Sequence, residues 1–396
     1  MKIIWIHSEL MRLAGGGERV SYQLIKALLA RGHQITVVCI ATSENDISTW
    51  LPVGVSMIPI NGYWNRQFGQ QILSQIGKAF SLFPYLKARW NALQMYASWR
   101  VIYWHNMRFM KRVVKLMDHR WSEFDVAYVH GDPFLAAQVA DHVQTILRLP
   151  GPIGKDYLPA LEKVHFVCAN GDAFQKMRTL FGDIKKLYEL PVGLDLELFS
   201  PQKSDHFASF YQGDNNKVVI GYVGRVTALK GVHLLVSAFC QIAGRFPEAF
   251  LLIVGDGENS AILQQVIQKA GLENRVNWAG RRTLSELPDL YRSMDVFVMP
   301  SLYENFSNAI LEAMGCGLPI IASRVGGNSM MVSEKNGWLF DVGNVNSLAA
   351  ILEIALNSRT ELRQKGQVSR TLVVNGYSWE HTANVLEDLM LIGLKK

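Results

Sequence analysis

The sequence predicts an α/β protein made of two doubly wound domains, each built on a parallel sheet. Its 396 residues leave room for two domains with separate cores. Hydrophobic residues make up 49% of the chain, which excludes a mainly disordered protein. Each half also repeats one order of elements, an apolar strand, a glycine-rich loop and an amphipathic helix, which is typical of parallel α/β sheets.

The first half carries this order near its start. The apolar run Ile3–Ile6 predicts a buried strand, Gly15–Gly17 forms the loop, and Glu18–Arg31 has helical spacing. Ile35–Ile40 predicts the next strand. In the second half, the corresponding elements are the strand Val218–Val223, the loop Gly224–Gly231, the helix Val232–Ala243 and the strand Phe250–Val254.

A polar segment marks the joint between the halves. Pro201–Asn216 is rich in Asp, Ser, Gln and Asn and has no strong periodicity, as is usual for a linker. We predict a first domain over residues 1–198 with a basic, aromatic insertion at about 63–120, a linker over 199–216, a second domain over 217–376 and a final helix over 377–396.

The net charge of +6 comes from one segment. No Asp or Glu occurs between Ile47 and Met117, and the rest of the chain is slightly acidic. The segment's cations are Arg66, Lys78, Lys87, Arg89, Arg100, Arg108, Lys111, Arg112 and Lys115.

The cysteines and the apolar runs predict a cytoplasmic protein. The four cysteines lie far apart and lack zinc-site spacing, so we expect buried thiols in a reducing compartment. No apolar run approaches the length of a membrane-spanning helix. The apolar part of the first ten residues is too short for a secretory signal.

The segment after the predicted strand Met294–Met299 carries the most informative motif. It reads YENFSNAILEAMGCGLPIIAS, with Glu304 in a loop and Glu312 one turn into a helix capped by Ser307 or Asn308. Ligands of open α/β sheets bind at the carboxyl ends of strands. The amino end of a helix there offers free N–H groups to a phosphate.

Cations and glycines elsewhere suit a diphosphate ligand. Arg225 and Lys230 share one loop and can neutralise a leaving diphosphate. Backbone amides near Phe306 to Asn308 add hydrogen-bond donors, and Asn305 beside them is a further candidate for binding the donor substrate. Gly16 and Gly17 permit close approach of the backbone to the diphosphate and sugar. No D-x-D motif occurs, so we expect no bound metal.

Five motifs together resemble the retaining glycosyltransferases of the GT-B fold, specifically glycosyltransferase family four. They are E-x7-E at Glu304 and Glu312, VGR-x4-KG ending at Gly231, LLIVGDG at Leu251–Gly257, GGGERV near the start and LPVGLDLELFSP at the domain joint. The resemblance implies two Rossmann-like domains facing a central cleft, with a final helix that crosses back to the first domain.

The resemblance also implies the chemistry. The donor would be a nucleotide-diphosphate sugar, with a UDP-sugar favoured and no other cofactor, and a hexosyl or N-acetylhexosaminyl group would move with retention of configuration. Glu304 would hold sugar hydroxyls, Glu312 the ribose and His130 the sugar. Arg281 would lie in the base-binding loop, where Arg282 is an equal candidate.

The acid-free segment predicts a helix with one cationic face. On a helical wheel of Tyr96–Met117, the cations fall within an arc of roughly 120°. Five of the ten tryptophans lie in or beside the segment, and such a composition suits an anionic bilayer surface. We predict membrane contact through Arg100, Trp104, Arg108, Lys111, Arg112 and Lys115. Alternatively, the apolar face packs on the first domain and the cations meet only water.

Three functions remain open. The first is transfer of a sugar to a lipid-linked or lipid acceptor by an enzyme peripheral on the inner face of the cell membrane, for cell-surface glycan or glycolipid synthesis. The second is a soluble transferase acting on a small acceptor such as a sugar phosphate. The third is a non-catalytic sugar-nucleotide-binding protein. The presence of all four charged site residues argues against it; they are Arg225, Lys230, Glu304 and Glu312. No nucleic-acid-binding signature accompanies the basic segment, so nucleic acid is not an expected partner.

Overall fold

The computed structural model describes residues 1–8, 10, 16–41, 51–61, 107–182, 186–202 and 217–394. Arg100, Trp104, most of the predicted insertion and linker residues 203–216 lie outside this part of the chain. Contacts divide the chain into two units. Unit 1 comprises Met1–Ala169, Met177–Leu190 and Ala383–Lys396, and unit 2 comprises Asn170–Lys176 and Pro191–Thr382.

Unit 1 contains a parallel sheet of seven strands in the described residues. They are β1 (Lys2–Ile6), β2 (Gln34–Ala41), β3 (Ser56–Asn61), β4 (Val126–His130), β5 (Gln144–Arg148), β6 (Phe166–Ala169) and β7 (Leu187–Glu189). Their order is β3-β2-β1-β4-β5-β6-β7. The order therefore reverses direction between β1 and β4.

Unit 2 contains a parallel sheet of six strands in the described residues. They are β8 (Val218–Val223), β9 (Ala249–Val254), β10 (Val276–Gly280), β11 (Val296–Met299), β12 (Ile320–Ser323) and β13 (Gly337–Phe340). The order β10-β9-β8-β11-β12-β13 reverses between β8 and β11.

Helices connect these strands, as parallel pairing requires. The helices with defined bounds are α1 (Gly16–Ala30), α2 (Pro133–Val139), α3 (Leu158–Lys163), α4 (Gly171–Phe181), α5 (Val232–Ile242), α6 (Ser260–Lys269), α7 (Leu287–Arg292), α8 (Asn308–Gly315), α9 (Asn328–Met331), α10 (Val345–Leu356), α11 (Arg359–Gly376) and α12 (Trp379–Leu394). The predicted α/β class with two parallel sheets is confirmed.

The central strands are mostly apolar, as is usual where helices cover both faces of a doubly wound sheet. All six residues of β8 are buried. In unit 1, Trp5 of β1 stacks on Tyr128 of β4 with ring centroids 3.7 Å apart. The strand predicted from Met294 begins only at Val296. The reason is Asp295, whose carboxylate accepts from the Val219 N–H at 2.7 Å while its own N–H donates to the Val219 carbonyl.

The helical residues 107–117 of unit 1 separate apolar from basic side chains. Their buried residues are Phe109, Met110, Val113 and Met117. Their exposed cations are Arg108, Lys111, Arg112 and Lys115. In the part of the chain that the structure describes, no helix is long and apolar enough to cross a membrane.

The last helix, α12, makes polar contacts with the rest of unit 1. Glu387 accepts hydrogen bonds from Arg31 at 2.7 Å and from His33 at 2.8 Å. The Gln144 side-chain amide donates to the Met390 carbonyl at 2.9 Å. These bonds attach the C-terminal residues to helix and strand ends that precede them by more than 200 positions.

Candidate functional site

Most of the predicted site residues of unit 2 lie where its strand order reverses. β8 and β11 are neighbours in the sheet, and the chain leaves them toward opposite edges. The loops that follow such strands separate from each other and leave a crevice at the strands' carboxyl ends. Arg225 and Lys230 follow β8, and Glu304 follows β11. Topology therefore brings together residues that are about 75 positions apart in sequence.

The turn that contains Lys230 contacts the loop after β11 through the backbone. Ala228–Lys230 forms a single 3-10 turn, and Gly231 then adopts the left-handed conformation with φ of 66°. A side chain at Gly231 would overlap the carbonyl oxygen of Pro300. In addition, the Leu302 N–H donates to the Leu229 carbonyl at 2.9 Å. Glycine at position 231 thus allows the two loops to touch through their backbones.

Lys230 and Glu304 form an ion pair within these loops. The Lys230 ammonium donates to Oε1 of Glu304, and the Ser301 hydroxyl donates to the same oxygen at 2.9 Å. The Glu304 side chain is only 8% exposed and the Lys230 side chain 21% exposed. Burying a carboxylate this deeply requires a nearby cation and hydrogen-bond donors, and both are present.

The backbone of Glu304 and Asn305 is held from two sides. The Glu304 carbonyl accepts from the Gly327 N–H at 3.0 Å. The Asn305 carbonyl accepts from the Asp172 N–H at 3.0 Å, and the Asn305 side-chain oxygen accepts from the Ala173 N–H at 2.7 Å. Asn305 therefore satisfies two N–H groups in the first turn of α4, which have no partner within the helix. This fixes the loop that presents Glu304.

Helix α8 begins directly after this loop. Ser307 caps it, with Oγ accepting from the Ile310 N–H at 3.3 Å, which decides between the two predicted caps. Phe306 and Asn308 flank Ser307 and are partly exposed. Glu312 is buried on α8, and its Oε2 accepts from the Tyr291 hydroxyl at 2.8 Å. The amino end of α8 and both glutamates thus belong to one segment after β11.

The predicted site arginines lie in loops at the same edge of the sheet, Arg225 in the loop of Lys230 and Arg281 and Arg282 in a separate loop. Arg225 is exposed, and its carbonyl accepts from the Tyr222 hydroxyl at 2.8 Å. Arg281 and Arg282 follow β10, two strands away from β8, a separation of about 10 Å. Arg282 donates to the Ala279 carbonyl and to Glu286. Arg281 is exposed and helps to lower the pKa of Asp256, after hydrogen bonds from Ser260 and Gly257.

In unit 1, His130 lies at the corresponding reversal of strand order. It ends β4, next to β1. Its ring stacks on His7, which follows β1, with centroids 4.0 Å apart and an interplanar angle of 20°. A side-chain carbon added at Gly17 would lie 3.1 Å from Nε2 of His130, so the α1 backbone passes close to this nitrogen. Gly16 is the first residue of α1.

Both imidazoles are neutral at physiological pH. Burial lowers the pKa of His7 to about 4. Burial, followed by the charges of His7 and Arg148, lowers the pKa of His130 well below its usual range. A neutral imidazole offers one N–H donor and one acceptor nitrogen, which suits contact with a hydroxyl group.

The sequence prediction missed His7 and Ser21. Nδ1 of His7 lies 3.0 Å from the Ser21 hydroxyl, and both side chains are buried. One signal was available in the sequence, because His7 directly follows the first predicted strand and so lies at its carboxyl end. Nothing in the sequence indicated Ser21, which appears as one more small residue of α1.

Comparison with known proteins identifies a family that part of the chain resembles. Residues 205–369 match the model of the family described as glycosyl transferases group 1. The D-inositol 3-phosphate glycosyltransferase of Segniliparus rotundus is 28% identical over 209 residues, 52% of this chain and 46% of the relative. An Escherichia coli protein, UDP-Gal:alpha-D-GlcNAc-diphosphoundecaprenol alpha-1,3-galactosyltransferase, is 30% identical over 222 residues, 54% of this chain and 56% of the relative. The match thus spans about half the length of each curated relative.

Similarity of fold extends over nearly the whole chain. The structure of Anabaena Alr3699/HepE in complex with UDP superimposes with a TM-score of 0.73, covering 98% of this chain and 99% of the other at 20% identity. The family model covers Lys230, Glu304 and the α8 segment. Residues 205–369 therefore resemble the group 1 glycosyl transferases, glycosyltransferase family four, and the chain has a GT-B fold.

Proposed function

We propose that the protein is a retaining glycosyltransferase that moves a sugar from a nucleotide-diphosphate sugar to a lipid-linked or lipid acceptor at the cytoplasmic face of a membrane. One observation carries the donor half of this proposal. The Lys230–Glu304 pair lies at the point where the strand order of unit 2 reverses, inside the segment that matches the family. A cation and a carboxylate at that place suit a diphosphate and a sugar hydroxyl respectively.

The Lys230 ammonium can bind Glu304 and the diphosphate of the donor substrate at the same time. It has three donors, and one of them is engaged with Glu304. We propose that a second donor meets the donor substrate's diphosphate, together with the Arg225 guanidinium and the backbone amides of Phe306 to Asn308. These groups oppose the charge that develops as the bond between the sugar carbon and the diphosphate oxygen breaks.

Retention of configuration follows from attack on one face of the sugar. The acceptor hydroxyl forms its bond to the sugar carbon on the face that the diphosphate leaves, and a diphosphate oxygen takes the acceptor's proton. Glu304 holds sugar hydroxyls, Glu312 holds the ribose, and Arg281 lies near the base. In unit 1, Gly16, Gly17 and His130 approach the donor sugar. We base these roles on the family resemblance and on the loop positions of the residues.

The nucleotide can be identified by thermal unfolding of the whole chain with UDP, GDP and ADP. A nucleotide at 100 times its dissociation constant stabilises the protein by about 2.7 kcal/mol. We expect UDP to raise the unfolding temperature by about 5 °C and ADP and GDP to raise it little. The name of the E. coli relative supports this choice. If none of the three nucleotides, nor any of their sugars, shifts the transition, the proposed donor class is wrong.

The relatives' names leave two acceptor classes, a lipid-linked sugar and a sugar-like phosphate. The helical residues 107–117 favour the first because their apolar side packs inward and their basic side is exposed. A basic face of this kind is attracted to anionic headgroups by about 1 kcal/mol per cation. A transferase for a small acceptor has no need of such a surface.

Neutralising this face is expected to weaken binding to membranes. The variant Lys111→Gln/Lys115→Gln removes about 2 kcal/mol, which lowers partitioning onto phosphatidylglycerol vesicles about 30-fold in a sedimentation assay. Lys155→Gln/Lys163→Gln changes the same charge at other exposed positions of unit 1 and serves as the matched control. Equal binding by both double variants, or no binding by the unaltered protein, would favour the small-acceptor enzyme.

A further inference from the structure

Within the part of the chain that the structure describes, the imidazole of His130 has no hydrogen bond to hold it. Among the described residues, none bonds to its ring, and Nδ1 is buried without a partner. A side chain at the end of a strand normally needs packing or a hydrogen bond to keep one rotamer. Two neighbours of the ring are His7, which stacks on it with centroids 4.0 Å apart, and the backbone of α1 at Gly17.

His7, in contrast, is anchored. Its Nδ1 lies 3.0 Å from the Ser21 hydroxyl, its side chain is buried, and its backbone N–H donates to the Val38 carbonyl at 3.1 Å. Ser21 is itself fully buried. A hydrogen bond to one ring nitrogen sets both the rotation of the ring and the nitrogen that carries the proton.

Helix α1 touches both rings with one face. Gly17 and Ser21 are four residues apart and so lie one above the other on the helix. Gly17 faces Nε2 of His130, which a side-chain carbon at that position would approach to 3.1 Å, and the Ser21 hydroxyl lies 3.0 Å from Nδ1 of His7. Because the two rings are stacked, the orientation that Ser21 gives to His7 limits the tilt and rotation available to His130.

We propose that His7 and Ser21 are positioning residues for His130. Ser21 fixes the His7 ring, the His7 ring fixes the His130 ring by stacking, and His130 then presents Nε2 beside the Gly17 backbone. This inference goes beyond the proposed function but rests on its assignment of His130 to the donor sugar. A small change in the ring's placement matters because misplacing a reacting group by about 1 Å can reduce a rate about 100-fold.

The first test needs no substrate. Nitrogen-15 spectra of the imidazoles report which ring nitrogen is protonated and whether one tautomer is fixed. In the unaltered protein we expect one fixed tautomer for His7 and a single set of ring signals for His130 near pH 7. In Ser21→Ala we expect the signals of both rings to move or to average. A change confined to His7 would overturn the proposal.

The second test is a double-mutant cycle on UDP release from the sugar nucleotide that the thermal assay selects. Ser21→Ala is expected to lower kcat about 10-fold and His7→Ala about 100-fold, with KM for the donor little changed. His7→Phe keeps the stacked ring and is expected to recover part of the loss. If His7 acts through His130, His7→Ala/His130→Ala loses no more than His130→Ala within about 2-fold.

A matched control separates positioning from general damage. His142 stacks on Trp121 with ring centroids 5.6 Å apart, and it lies just before the amino end of β5. His142→Ala therefore removes a stacked imidazole near the amino ends of the strands, whereas His7 and His130 lie at their carboxyl ends. We expect its kcat and its unfolding temperature to stay unchanged. Additive losses in the double variant would refute the positioning role. If no sugar nucleotide is turned over, the proposed function fails, and the spectra still decide the inference.

Discussion

Replacing Glu304 with glutamine is expected to reduce sugar transfer, and the slower hydrolysis of the donor, by at least about 100-fold while the protein stays folded. Losses of this size follow the removal of one preorganised polar group that acts on a transition state. Glutamine has the shape of glutamate and keeps an oxygen that can accept from Ser301 and Lys230. Only the negative charge is lost.

The free energy of unfolding should change by less than about 1 kcal/mol. The Lys230 ammonium, which loses its counter-charge, is 21% exposed and can still bond to the amide oxygen. A lost rate in a folded variant would therefore report the chemistry of the carboxylate. Release of UDP from the sugar nucleotide and urea unfolding measure the two quantities.

Glu334→Gln is the control for this result. Glu334 is an exposed glutamate of the same unit, outside the candidate site, and its replacement makes the same chemical change. We expect unchanged activity and stability. A Glu304→Gln protein that transfers sugar at the rate of Glu334→Gln would remove Glu304 from the mechanism.

The strands and helices were predictable because hydrophobic periodicity and glycine positions report local structure within a few residues. Strand Val218–Val223 appears with the predicted bounds, since a run that is apolar apart from Gly221 and ends before Gly224 leaves little alternative. The start of β11 was not predictable, because a side-chain bond from Asp295 to the Val219 amide replaces a strand contact. That bond joins residues 76 positions apart, and no local pattern reports it.

The candidate site shows the same limit. The sequence predicted Lys230 and Glu304 one at a time, as a phosphate ligand and a sugar ligand. Their direct ion pair arises only because β8 and β11 are neighbours in the sheet. Asn305, where the family often has glycine, was predicted as a donor ligand. In the structure its side chain bonds to Ala173, which is 132 positions away.

Replacing Lys230 with methionine is expected to impair both stability and transfer. The change leaves the Glu304 carboxylate, whose side chain is 8% exposed, with the Ser301 hydroxyl as the remaining described donor to Oε1. Removing one member of a buried ion pair costs about 3 kcal/mol because the other charge stays buried without compensation. Transfer should fall at least about 100-fold, because the diphosphate loses a cation.

Combining Lys230→Met with Glu304→Gln separates the two effects. Without a carboxylate there is no uncompensated charge, so we expect urea unfolding to recover most of the lost stability, within about 1 kcal/mol of the unaltered protein. Activity should not recover, since both groups that would meet the donor are gone. Such coupling in stability without recovery of activity is expected only of a pair that is buried together and also acts on the substrate. If Lys230→Met alone unfolds at the same urea concentration as the unaltered protein, the pair is effectively solvated, and Lys230 then acts on the diphosphate as an independent surface cation.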